Sequence, residues 1–165
     1  MGAGDPLVGE AVMTPPAKPG HMELALSEAR LAAARGEVPV GAVVVAPDGR
    51  VVATAGNRTR ELSDPTAHAE VLALREACRA LQSERLPDHD LYVTLEPCPM
   101  CAAAISFARI RRLYYGAADP KGGGVEHGAR VFSQPTCHHT PEIYPGLGED
   151  EASLILKSFF TERRG

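Results

Sequence analysis

The chain has 165 residues, 44% hydrophobic and 23% charged, which is enough for one domain with a core of its own. Its net charge of −4 at pH 7 argues against a surface that holds nucleic acid broadly, since phosphate contacts need positive charge, but it leaves room for a local basic patch. No apolar run approaches the length of a membrane span, so no membrane partner is expected.

Met1 to about Gly20 is rich in Gly, Pro and Ala, without periodicity and without the basic start and apolar block of a secretory signal. It reads as a flexible leader, residues 1–20, to a single domain over residues 21–165. From His21 to Arg35, Met22, Leu26, Ala29 and Ala33 recur at helical steps, and Gly36 ends the pattern. Val38 to Ala46 is a β-branched run, Pro47-Asp48-Gly49 a turn and Val51 to Ala55 a second strand, together a hairpin. Thr66 to Leu81 reads as a helix with Val71, Leu74, Cys78 and Leu81 as its apolar stripe, and His89 as a solvated loop histidine after it. Leu91 to Leu95 is a third strand. The next helix runs through Ala108, and its Ala102-Ala103-Ala104 run is small enough for close packing on a sheet.

Arg112 to Tyr115 is the fourth strand. Periodicity then fades from Gly116 to Gly148, with a helical turn near Val125 to Phe132 and a short strand near Pro141 to Tyr144. Asp150 to Arg164 is helical, and its Phe159-Phe160 pair is more readily core than a base-stacking platform. Strands alternating with helices after a hairpin predict an α/β fold, a three-layer α/β/α domain with a mixed five-stranded sheet. Helical connections between strands three, four and five favour parallel pairing there.

One split constellation carries the chemistry: Thr66-Ala67-His68-Ala69-Glu70 and Pro97-Cys98-Pro99-Met100-Cys101. Zinc held by His68, Cys98 and Cys101 has three protein ligands, and its fourth tetrahedral position stays open for water. Zinc brings that water's pKa from about 15.7 towards about 7, and Glu70 is the carboxylate left to move protons. Residues two apart do not share a helix face, so His68 and Glu70 can converge only on a metal off the N-terminal end of a helix. The same holds for Cys98 and Cys101, with Pro99 suited to an opening turn. Both halves therefore predict a strand, a loop and a helix.

H-x-E followed by P-C-x-x-C is the signature of the zinc deaminases. Asp64 to Glu70, Leu91 to Cys98 and Gly116-Ala117-Ala118-Asp119-Pro120-Lys121 together resemble the bacterial tRNA adenosine deaminases of the cytidine/deoxycytidylate deaminase superfamily. The likeness runs from about Met22 to the C-terminus. It implies a cytidine-deaminase-like fold, one Zn2+ per subunit, a homodimer and, as partner, a tRNA anticodon stem-loop whose wobble adenosine becomes inosine. It implies that Asn57 binds the base edge through its amide, although a turn role for Asn57 stands beside that reading. It implies that Val40 and the Leu95-Glu96-Pro97 turn line the base pocket. Asp119 would touch the neighbouring nucleotide, or simply shape its Asp-Pro turn. A backbone N–H near Cys98, at a helix start, would steady the nascent oxygen.

The resemblance also places the C-terminal helix, with Arg163 and Arg164, near the anticodon loop. Arg58, Arg60, Lys121, Arg130 and Lys157 are further candidates for phosphate contacts, though each taken singly reads better as an ordinary surface cation. Two departures stand out. Ala118 occupies a position that is commonly basic in the family, and Gly122-Gly123-Gly124 reads as a looser loop than usual.

Three rivals follow from the same residues. A structural zinc site would need a fourth protein ligand, for which Cys137, His138 and His139 are candidates, and would leave Glu70 without a task. A deaminase of a free base or nucleoside, of the guanine or cytosine type, would share the catalytic residues and differ at the pocket rim. A non-catalytic zinc-binding subunit would not need Glu70 at all. The four cysteines do not read as disulfides, because two stand in the metal motif, Cys78 in a helical pattern and Cys137 in a loop. Reduced thiols and zinc place the protein in the cytoplasm.

Overall fold

The computed structural model describes residues 19–164. The expected leader lies outside the described residues except for its last two positions, which open the first helix. The described elements are α1 (Pro19–Ala34), β1 (Gly41–Val45), β2 (Val51–Gly56), α2 (Ala69–Leu81), β3 (Asp90–Leu95), α3 (Pro99–Ala108), β4 (Arg112–Ala117), a 3-10 turn (Val131–Ser133), β5 (Glu142–Pro145) and α4 (Glu149–Arg164). The strands form one five-stranded sheet in the order β2-β1-β3-β4-β5. β1 runs antiparallel to β2 and β3, whereas β4 is parallel to both β3 and β5, so the sheet is mixed as the sequence predicts.

The two-residue period of the strands divides the core in two. Ala42 and Val44, Leu91 and Val93, and Leu113 and Tyr115 pack with Ala73, Leu74 and Ala77 of α2 and Ala102 and Ile105 of α3. Val43, Val45, Tyr92 and Tyr114, from the intervening positions, pack with Met22, Ala25 and Leu26 of α1 and Ala152 of α4. Two helices thus cover each face, which gives the three layers. Each buried Val or Leu contributes about 1.5–3 kcal/mol. Strand register also aligns Tyr92, Tyr114 and Tyr144 side by side, stacked with centroids 4.4 and 5.1 Å apart. α1 lies directly on β1: a Cβ at Gly41 would meet the Ala25 carbonyl oxygen at 1.9 Å. Only glycine admits that approach.

Several local expectations need correction. α2 begins at Ala69 rather than Thr66, because Asp64 Oδ1 accepts the backbone N–H and the hydroxyl of Thr66 at 2.8 and 2.7 Å and holds a turn there. The buried face of α2 is Ala69, Glu70, Ala73, Leu74 and Ala77. Of the predicted stripe, Leu74 is buried and Cys78 packs at the edge of the core, whereas Val71 is only partly buried and Leu81 is exposed. Alanines form the contact face because α2 lies close against the sheet.

His89 is buried rather than solvated. Its Nδ1–H donates to the Pro87 carbonyl at 2.8 Å, and its own carbonyl accepts from Arg111 N at 2.8 Å. The bidentate Arg111–Asp90 pair, 3.0 and 3.1 Å, draws that loop onto the end of the sheet. The link from β4 to β5, residues 118–141, is irregular apart from its 3-10 turn, yet the pairing is parallel. Nor is its glycine run loose. Gly123 and Gly124 are buried, Gly124 N–H donates to the Pro97 carbonyl at 2.8 Å, and a Cβ on Gly124 would meet Pro99 N at 2.6 Å.

Candidate active site

Open α/β sheets bind ligands beyond the carboxyl ends of their parallel strands. Here β3 ends at Leu95 and β4 at Ala117, and the chain turns from each into the groups that carry chemistry. His68 is the N-cap of α2 (φ −74°, ψ 152°) and Cys98 the N-cap of α3 (φ −72°, ψ 171°). Neither side chain makes a capping hydrogen bond to its own helix. A Ser, Thr, Asp or Asn cap in either place would add about 0.5–2 kcal/mol of stability. Both positions instead turn their donor atoms towards each other.

His68 Nδ1 lies 3.6 Å from Cys98 Sγ and 3.5 Å from Cys101 Sγ, and the three donor atoms fall within 4.8 Å of one another. Tetrahedral zinc with Zn–S of about 2.3 Å and Zn–N of about 2.0–2.1 Å asks for N···S separations of about 3.6 Å, so the donor set fits that ion. No fourth protein ligand joins the group among the described residues. Cys137 and His139 are engaged elsewhere: Cys137 Sγ is 3.5 Å from Ser106 Oγ, and His139 Nε2 donates to the Ile110 carbonyl at 2.7 Å. A closed structural site built from them is therefore not what the chain forms.

The three donor groups and Glu70 shift one another's protonation. The hydrogen bond from the Cys101 thiol pulls Cys98 down to about 4, against burial, with His68 assisting. Cys101, as donor to Cys98 and buried, is raised. His68 is also raised, chiefly by its hydrogen bond to Cys98. Glu70, in the first turn of α2 and 4% exposed, is pushed up to about 7 by burial, with the Cys98 charge adding to it. A carboxyl in that range can hold a proton and release it near neutrality.

These groups open into a cavity of about 300 Å³. His68, Glu70 and Cys98 line it together with Val38, Val40, Asn57, Thr59 and Leu95. Glu96, Asp119 and Gly122 complete it. Of the residues singled out by sequence, Pro97 does not line the cavity; it is buried, and its carbonyl accepts from the loop. Asn57 is 7% exposed, and its Nδ2 lies 3.4 Å from both Glu37 Oε1 and Thr59 Oγ1. One Asp119 carboxylate oxygen accepts from Gly122 N at 2.9 Å, so this side chain both shapes the turn and stands at the cavity. The Glu96 carboxylate is directed into the loop. It accepts from the backbone N–H of Asp119, Val125, Glu126 and His127 at 2.8–3.1 Å, and from His127 Nδ1 at 2.8 Å.

Glu37 escaped the sequence reading. It is 1% exposed, and besides Asn57 it accepts from Arg60 N and Glu61 N at 3.2 and 2.7 Å. A carboxylate between a helix end and a buried strand was its one visible signal. Of the proposed surface cations, Arg60, Lys121, Arg130 and Lys157 are exposed, Arg58 pairs with Glu61 at 2.6 Å, and Arg163 lies over the Phe159 ring at 4.2 Å. Phe159 itself is core, whereas Phe160 is 45% exposed.

The family model for the cytidine and deoxycytidylate deaminase zinc-binding region matches residues 17–117. The tRNA-specific adenosine deaminase of Agrobacterium fabrum is 70% identical over 143 residues, covering 87% of this chain and 93% of that protein. Its counterpart from Bacillus subtilis is 42% identical over 144 residues, 87% of this chain and 89% of that one. Among solved structures, one from a study of A-to-I editing by tRNA:A34 deaminases at the wobble position of transfer RNA superposes with TM-score 0.83. It is 69% identical and covers 84% of this chain and all of that one (100%). The guanine deaminase of Bacillus subtilis superposes with TM-score 0.60 at 31% identity, covering 91% of this chain and 96% of its own.

Proposed function

The chain belongs to the cytidine and deoxycytidylate deaminase family, and from that membership we propose that it converts adenosine to inosine at the wobble position of a tRNA anticodon by hydrolysis. The observation that carries the chemistry is the convergence of His68, Cys98 and Cys101 on one another, with His68, Cys98 and the buried Glu70 lining one cavity. The choice of substrate is supported by the 70% identity to a tRNA-specific adenosine deaminase across most of both chains.

His68, Cys98 and Cys101 would hold one zinc ion per subunit. When bound, zinc makes hydroxide available at neutral pH. Glu70 takes one proton from the attacking water and passes it to the ring nitrogen as the C6–O bond forms. It then moves the remaining proton of the new C6 hydroxyl to the amino group, which departs as ammonia when the C6–N bond breaks. Burial keeps its affinity for the proton high enough to hold it between those transfers. Asn57 meets the base edge, with Glu37 and Thr59 fixing its amide. Val40 and Leu95 contact the faces of the base, and Asp119 accepts from the neighbouring ribose. A loop nucleotide can be turned into the cavity at small cost, because it is not stacked in a duplex.

We place the enzyme in the cytoplasm as a homodimer, where two subunits together can gather enough basic side chains for the stem-loop despite the charge of −4. No described helix is long and apolar enough to cross a membrane. We place the start of the domain at α1, which opens at Pro19, with the residues before it as a leader.

The test is to offer the zinc-loaded protein an anticodon stem-loop with adenosine at the wobble position, beside free guanine, cytosine, cytidine and adenosine. Inosine in the stem-loop alone is the expected result. Turnover of guanine with an untouched stem-loop would overturn the substrate and keep the chemistry.

A further inference from the structure

The loop from residue 118 to 131 supplies Asp119 and Gly122 to the cavity but belongs to no sheet or α-helix. Something must hold it in register with the metal ligands. The Glu96 carboxylate does so from inside, with a side chain that is 0% exposed. Oε1 accepts from Asp119 N at 2.9 Å and from His127 Nδ1 at 2.8 Å. Oε2 accepts from Val125 N, Glu126 N and His127 N at 3.1, 2.8 and 3.1 Å.

The packing around the carboxylate is equally close. A Cβ on Gly123 would meet Glu96 Cδ at 2.5 Å and the Asp119 carbonyl oxygen at 2.6 Å. Glu96 also stands two residues before Cys98, so a single turn of chain carries both a metal ligand and the anchor of the loop. We propose that Glu96 is the positioning residue that sets the Asp119 loop against the metal site, and that it acts on substrate capture through that loop rather than by touching the base.

This inference rests on the proposed deamination, and its test separates the two. Glu96→Gln keeps the volume but turns an amide N–H towards backbone N–H donors, so at least one loop contact is lost. The metal ligands and Glu70 sit at the starts of α2 and α3, outside the loop. The stem-loop KM is therefore expected to rise about ten-fold while kcat stays within about three-fold, the pattern of lost binding rather than lost chemistry. Hydrogen exchange gives a readout independent of activity. Protection should fall at the amides of Asp119, Val125, Glu126 and His127 and persist in α2, α3 and β3. Zinc content should stay at one equivalent.

His127→Ala, at a side chain that is 36% exposed, removes one donor only and should give the same pattern more weakly, even if Glu96→Gln folds poorly. A fall in kcat with an unchanged KM and a protected loop would overturn the proposal, as would faster exchange spread evenly through the domain. Wild-type protein that fails to deaminate the stem-loop would sink the proposed substrate, and the exchange pattern would still decide the role of Glu96.

Discussion

Asn57 Nδ2 lies 3.4 Å from Glu37 Oε1, so a carboxylate outside the cavity orients an amide inside it. Glu37 comes from the link between α1 and β1, and Asn57 from the end of β2. The hairpin therefore brings to one point two residues that are far apart in the chain. With Nδ2 engaged, the Asn57 side-chain oxygen is the atom left to meet a ligand.

Burial opposes ionisation of Glu37, but the backbone N–H groups of Glu61 and Arg60, with the charges of Arg35 and Arg60, hold its pKa below the usual carboxylate range. A depressed folded-state pKa gives stability that is fully present above the unfolded value of about 4.3 and is lost as pH falls through the folded value. Glu37→Gln should therefore be destabilising at pH 7, and the gap to wild type should narrow below about pH 4. Urea unfolding of both proteins across that range is the check, and a gap independent of pH would refute the assignment.

Glu70→Gln removes the carboxyl assigned to proton transfer while leaving the metal donors in place. Inosine formation should fall by about 10²–10⁴-fold, with zinc still at one equivalent. Retention of the rate within ten-fold would mean that another group carries the proton.

Zinc should be tied to three side chains only. His68→Ala and Cys98→Ala are expected to lose the ion and the activity, and chelation of the wild type should lower its melting temperature. Cys137→Ala, outside the donor group, should keep a full equivalent of metal. Metal analysis of the purified variants decides the point, and loss of zinc from Cys137→Ala would reinstate the closed site.

Gly41→Ala should destabilise the fold by about 1–3 kcal/mol or more, because the added methyl meets the backbone of α1 rather than a side chain that can rotate away. Gly20→Ala, in the first turn of the same helix and with nothing within 4 Å of the added Cβ, should be neutral or stabilising by up to about 1 kcal/mol. Thermal unfolding of the pair checks both signs.

The sequence by itself determined the element order, the mixed sheet and the His68, Cys98 and Cys101 group that can hold a metal ion. Strand alternation and helix period are local properties, and His68, Glu70, Cys98 and Cys101 stand at spacings that make sense only at helix starts. It could not reveal that Glu37 reaches Asn57 or that Glu96 turns inward to hold residues 119–127, because a carboxylate shows no partner until the chain has folded around it. His89 read as solvated for the same reason: its burial follows from Arg111 and Asp90 closing the end of the sheet. Gly122-Gly123-Gly124 read as slack, whereas tertiary packing against Glu96 and Pro99 makes Gly123 and Gly124 a steric requirement. Local patterns thus picked out His68, Glu70, Cys98 and Cys101, and long-range hydrogen bonding and close packing decided what surrounds them.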